Sequence, residues 1–229
     1  MSTTDTERTR HEHAIEHELV HSGALLMGEH FVLKSGRHAE TYINCDCLYS
    51  QPKRLTPIFG HWQLRWFDRR VGGEVPDVVA APATGGVYLV AGFRYFTENQ
   101  RLATVWADKT DEGFVLERAG FVEAVQDRNV LVLEDVITSG GSVVGTIEAV
   151  RAAGGNVLGV ACIVNRRLST TAESLGVPVL TTGVQRDDQD WAYDALPTRI
   201  AERPIVTNIG HGAEFQQVYP DYPAGYKEL

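Results

Sequence analysis

Four apolar residues, Val130 to Leu133, run directly into two carboxylates, Glu134 and Asp135, and then into a loop of small residues, Thr138-Ser139-Gly140-Gly141-Ser142. The apolar run is short enough for a strand buried on both faces. Beyond the loop, Val143, Ile147 and Val150 recur at helical spacing as far as Gly154-Gly155. Strand, loop and helix in that order predict a parallel α/β unit. Such units bind ligands at the carboxyl ends of their strands, where small side chains let backbone N–H groups converge on an anion at the positive end of the helix. The stretch Ile137 to Ser142 therefore suits a phosphate, and Glu134 with Asp135 suits sugar hydroxyls; together they describe a ribose 5-phosphate. The alternative is an ordinary strand-to-helix turn carrying two solvated acids. No Gly-Lys-Ser/Thr is present for a P-loop, and Gly140-Gly141-Ser-Val-Val-Gly145 lacks the glycine spacing of a dinucleotide fingerprint.

Leu131 to Ser142 resembles the phosphoribosyl pyrophosphate (PRPP) signature of type I phosphoribosyltransferases. A second stretch, His30-Phe-Val-Leu-Lys-Ser-Gly-Arg-His-Ala-Glu-Thr-Tyr-Ile-Asn44, resembles the hood segment of orotate phosphoribosyltransferases. The resemblance implies a parallel sheet flanked by helices, a small N-terminal hood, and transfer of ribose 5-phosphate from PRPP to orotate. In the hood it implies a lysine beside PRPP, matched by Lys34, and an aromatic residue near the pyrimidine, matched by Tyr42 with Ile43 beside it. The chemistry agrees, since a cation answers phosphate charge and Tyr42 offers an apolar wall with a polar tip. Phe31 to Lys34, the Ser35-Gly36 turn and Thr41 to Asn44 also read as a plain β-hairpin.

Val78-Val-Ala-Ala-Pro-Ala-Thr-Gly-Gly86 is another apolar run ending in a small-residue turn, with a helix expected from Val87 to about Phe96. The resemblance gives this turn, Thr84, Gly85 and Gly86, to pyrophosphate; a routine turn is the other reading. Val157 to Val164 is a further strand, followed by Arg166, which matches the family arginine on the orotate carboxylate and has the forked shape for it. Thr138 joins Tyr42, Ile43 and Arg166 as a candidate for the base. Between Ala107 and Phe121 the chain departs from well-known bacterial members, whose mobile loop reads Arg-Lys-x-x-Lys-x-His-Gly. Here Lys109 and Arg118 are the cations, expected either to act catalytically over pyrophosphate or to be solvated hairpin charges. The resemblance further implies Mg²⁺ bridging pyrophosphate oxygens, Glu134 and Asp135 on the reacting ribose, and a homodimer.

At 229 residues and 43% hydrophobic content, the chain can bury one substantial core, and no linker of biased composition divides it. One domain is expected over 1–229, with the hood and N-terminal helices at about 15–70, the core at about 71–185 and a C-terminal arm at about 186–229. No apolar run approaches the roughly 20 residues of a membrane span, and the first ten residues are polar, so a cytoplasmic protein is expected. Cys45, Cys47 and Cys162 do not make a disulfide framework or a closed zinc site and are expected as thiols. His13, His17 and His21 would share one helix face, read as a polar surface. A net charge of −9 argues against nucleic acid or an anionic membrane as partner. Two other functions share the PRPP loop: a phosphoribosyltransferase for another base, and a non-catalytic PRPP-sensing regulator.

Overall fold

After a helical stretch over residues 13–21, the chain forms β1 (Leu25–Val32) and β2 (His38–Ile43) as an antiparallel hairpin, Val32 facing His38 at its closed end. The computed structural model describes residues 13–68, 74–167, 171–185 and 189–229. Its described residues fall into two compact units, 13–18 with 48–185 and 19–47 with 189–229.

The first unit is the expected α/β core. Its strands are β3 (Val78–Pro82), β4 (Ala103–Thr110), β5 (Gly113–Val115), β6 (Asn129–Ile137), β7 (Asn156–Asn165) and β8 (Val179–Gln185), in the order β5-β4-β3-β6-β7-β8. All neighbours are parallel except β4 and β5, which form a hairpin. Every residue of β3 is buried, as a continuous apolar run requires when helices cover both faces. On one face, Val143, Ile147 and Val150 of α3 (Gly141–Ala152) join a core with Val78, Ala80, Val130, Val132 and Val160. On the other, Phe59 and Trp62 of α1 (Thr56–Gln63) meet Phe93 of α2 (Gly85–Thr97), with ring centroids 5.6 and 6.0 Å apart. Residues 48–68, placed with the hood from sequence, thus pack with the core, because α1 is apolar enough to need the sheet's second helical layer.

The second unit is built around the hairpin. Asp190–Trp191 (β9) pairs with β2, Ile205–Val206 (β10) runs parallel to β1, and Tyr226–Lys227 (β11) runs parallel to β10, giving the order β11-β10-β1-β2-β9. The C-terminal stretch is therefore woven into the sheet of the hood hairpin rather than lying as a separate arm. Tyr193, Phe215, Tyr222 and the fully buried His30 and His38 form its aromatic centre. No described helix is long and apolar enough to cross a membrane.

Candidate functional site

The strand order reverses beside β3: β4, which follows it in sequence, lies on one side, and β6 lies on the other. Loops leaving neighbouring parallel strands on opposite sides of such a reversal diverge and open a crevice. Here they are the turn Ala83-Thr84, leading into α2, and Thr138 to Gly140, leading into α3. Neither helix start carries a side-chain cap; in α2 the Val87 N–H donates to the Thr84 carbonyl at 3.1 Å, and the N–H groups ahead of it are left for solvent or a ligand. Gly140 has φ of 83°, a left-handed conformation that suits glycine. Thr138, Ser139, Gly141 and Ser142 are exposed. Ile137 is not part of this open rim: its side chain lies 1% exposed in the core and its carbonyl accepts the Arg166 N–H at 2.9 Å.

The paired acids differ. β6 continues through both of them to Ile137, with Glu134 opposite Cys162 of β7. Glu134 is 6% exposed, and its carboxyl is pushed well up by burial and, secondarily, by the neighbouring Asp135. Asp135 is half-buried, with Oδ1 accepting the Val136 N–H at 2.6 Å and Oδ2 accepting the Tyr49 hydroxyl at 3.0 Å. The second loop reaches the same oxygen: a Cβ on Gly85 would stand 3.3 Å from Asp135 Oδ2. Gly85 and Asp135 thus join the two loops. Gly86, placed with them from sequence, is also required by packing, because a Cβ there would lie 2.5 Å from that of Ala81. Thr84 is exposed at the turn.

Arg166 leaves β7 beside the end of β6 and is buried, 9% exposed. In the β4–β5 hairpin, Lys109 is exposed and faces Phe114 across the ladder. Arg118 is engaged: Nε and Nη2 donate to Asp108 at 3.0 and 3.3 Å, and the guanidinium lies 5.5 Å from the centre of the Trp106 ring. That pairing holds the Arg118 pKa above its ordinary value.

On the second unit, Lys34 is exposed in the turn rather than ending a strand, since Leu33 N–H bonds the Arg37 carbonyl and closes the loop there. Tyr42 is packed by its own unit. Its ring lies 5.6 Å from that of Phe31, and a Cβ on Gly210 would come within 3.0 Å of it. Burial, then Asp46, raises its hydroxyl pKa. Ile43 is half-buried. Sequence reasoning missed Tyr49 altogether; Leu48-Tyr49 sits in a stretch without period, and only the folded chain brings its hydroxyl to Asp135. No disulfide joins the three cysteines, and burial pushes the Cys162 thiol up to about 12.

The family model for the phosphoribosyl transferase domain matches residues 64–195, more than half of the chain. An orotate phosphoribosyltransferase of Chlorobium phaeobacteroides is 40% identical over 148 residues, 63% of this chain and 69% of that protein. One from Bartonella henselae is 31% identical over 183 residues, 80% of this chain and 89% of its own. Among solved structures, the orotate phosphoribosyltransferase of Aeropyrum pernix aligns with a TM-score of 0.55 at 25% identity, covering 73% of this chain and 90% of that one. The Mycobacterium tuberculosis enzyme in complex with PRPP shares the fold, with a TM-score of 0.56 at 20% identity over 75% of this chain and 94% of its own. A core sheet with two small-residue loops meeting at Asp135, found in a chain with these relatives, belongs to a phosphoribosyl transferase domain of the orotate phosphoribosyltransferase family.

Proposed function

We propose that this chain transfers ribose 5-phosphate from PRPP to orotate, releasing pyrophosphate and orotidine 5′-monophosphate. The observation that carries the reading is the meeting of the Gly85 turn and Asp135 at the carboxyl ends of adjacent parallel strands. In the reaction a bond forms from the orotate ring nitrogen, which gives up its proton to solvent, to the anomeric carbon. The bond from that carbon to pyrophosphate oxygen breaks, and the electron pair leaves with pyrophosphate. A site for this chemistry must hold nucleophile and sugar in line and answer charge on the leaving oxygens.

The loop from Thr138 to Ser142 takes the 5′-phosphate through the uncapped start of α3, and Thr84 with Gly85 takes pyrophosphate at the start of α2. Asp135 accepts the ribose hydroxyls. Glu134, with its carboxyl pushed toward the neutral form, backs the strand and accepts the Asp135 N–H at 3.2 Å. Lys109, exposed on the hairpin, is the cation over pyrophosphate, since the Arg118 charge is already answered by Asp108. Arg166 recognises the orotate carboxylate. For Lys34, Tyr42 and Ile43 the support is the sequence resemblance alone.

Among the described residues, no group of three or more His, Cys, Asp or Glu side chains could hold a metal ion. The donor set would suit Mg²⁺ held mainly by substrate phosphates, with the half-buried Asp135 as the protein carboxylate that would hold it. When bound, Mg²⁺ neutralises pyrophosphate oxygens. The reading carries with it a homodimer and a cytoplasmic setting, both resting on the family resemblance.

Incubating the protein with PRPP, orotate and Mg²⁺ and separating the products chromatographically tests this directly. Orotidine 5′-monophosphate and pyrophosphate should appear in equal amounts; persistence of both substrates would overturn the reading.

A further inference from the structure

Tyr49 lies outside every motif that pointed to the site, yet it supplies the one side-chain hydrogen bond described for Asp135 Oδ2, at 3.0 Å. Its ring is held by stacking on one face, next to a buried anchor in the chain. Leu48, immediately before it, is fully buried, and the ring of Tyr88 stacks on that of Tyr49 with centroids 5.1 Å apart and planes 16° from parallel. Tyr88 stands in the first turn of α2, the helix that Gly85 opens. A Cβ on Gly85 would lie 3.3 Å from Asp135 Oδ2 and 3.7 Å from the Tyr49 hydroxyl, so the three groups meet closely.

The two carboxylate oxygens of Asp135 are therefore tied differently. Oδ1 takes the N–H of the next residue, a bond that any rotation of the carboxylate would break. Oδ2 takes a hydroxyl from a separate element, locked in turn to the helix that begins the other loop. A carboxylate accepts more than one hydrogen bond per oxygen, so lone pairs remain for a ligand and their direction is set by these two donors.

We infer that Tyr49 is a positioning residue for sugar recognition: it fixes the plane of the Asp135 carboxylate toward the ribose hydroxyls of PRPP and, through Tyr88, keeps that plane in register with the Gly85 turn. The inference rests on the proposed function, which assigns the hydroxyls to Asp135.

Tyr49→Phe removes the hydroxyl and keeps the ring. Titration of PRPP with Mg²⁺ and of inorganic pyrophosphate without it separates positioning from bulk structure, because metal-free pyrophosphate offers Asp135 neither a ribose nor a cation. The variant should bind PRPP about tenfold more weakly, the scale of one hydrogen bond to a carboxylate, with pyrophosphate binding and the unfolding midpoint unchanged. In turnover, KM for PRPP should rise while KM for orotate stays put. Tyr88→Leu, at a position 58% exposed and so tolerant of change, should show a smaller loss of the same selective kind. Equal binding of PRPP by Tyr49→Phe and the parent chain would overturn the inference, as would parallel loss of PRPP and pyrophosphate. Failure of the parent chain to bind PRPP would overturn the proposed function and this inference with it.

Discussion

Glu134 and Asp135 are neighbours in sequence with opposite fates, and the difference predicts their mutational behaviour. The Glu134 carboxyl is buried and pushed toward neutrality. Glu134→Gln, which keeps shape and removes only the charge, should therefore change kcat/KM for PRPP by less than about tenfold. Asp135→Asn removes the charged acceptor at the crevice and should lower kcat/KM by about a hundredfold or more, the scale of a lost charged hydrogen bond in a reacting site. Steady-state kinetics on both variants check the order, and a larger loss for Glu134→Gln would contradict the assignment. The hairpin cations are to be ranked the same way: Lys109→Ala should slow kcat by at least about tenfold. Arg118→Ala should act mainly by loosening the hairpin that Asp108 and Trp106 help to order. The residue types at the core of the site were legible because strand, acids and small-residue loop are contiguous. Tyr49 was not legible, because its partner is 86 residues away and no local pattern marks it.

At the scale of elements, β6 shows where periodicity misleads. Its apolar run stops at Leu133, yet the strand continues to Ile137 because pairing with β7 continues past the acids to Asn165. Ladder hydrogen bonds do not depend on side-chain polarity, so two carboxylates end the pattern without ending the strand. Gly86 carries a second constraint: a glycine in a turn signals backbone freedom, but this one is also required by the approach of α2 to Ala81. Gly145 works likewise in α3. A Cβ there would fall 2.3 Å from the ring of Phe114, so the helix provides the seat on which the β5 end of the hairpin rests. Gly145→Ala should destabilise the chain by about 1–3 kcal/mol, the range for overpacking, and lower turnover by displacing the hairpin that carries Lys109. Chemical denaturation with parallel kinetics would show it. An unchanged midpoint would mean that Phe114 moves aside at no cost.

At the scale of the whole molecule, the strand-loop-helix frame of the α/β core was readable, whereas the place of α1 in it and the C-terminal contribution to the second unit were not. β9, β10 and β11 are two residues each, too short to show alternation. Their sheet encloses a buried histidine pair, His30 Nε2 to His38 Nδ1 at 2.7 Å. Burial, then the neighbouring His30, lowers the His38 pKa to about 4, whereas an unfolded histidine titrates near 6.5. Between those values the unfolded chain binds more protons, so stability is full above about pH 6.5 and is lost as pH falls toward about 4. The unfolding midpoint should drop over that window, and His38→Gln should be less stable at pH 7 but show a shallower drop. An equally steep drop in the variant would assign the titration elsewhere. Catalysis is tested by loss of orotate absorbance with PRPP and Mg²⁺, repeated with uracil, adenine, hypoxanthine and xanthine. Orotate should turn over and none of the purines should. Turnover of another base with orotate inert would contradict the orotate assignment, and PRPP binding with no base consumed would contradict catalysis itself and favour a PRPP sensor.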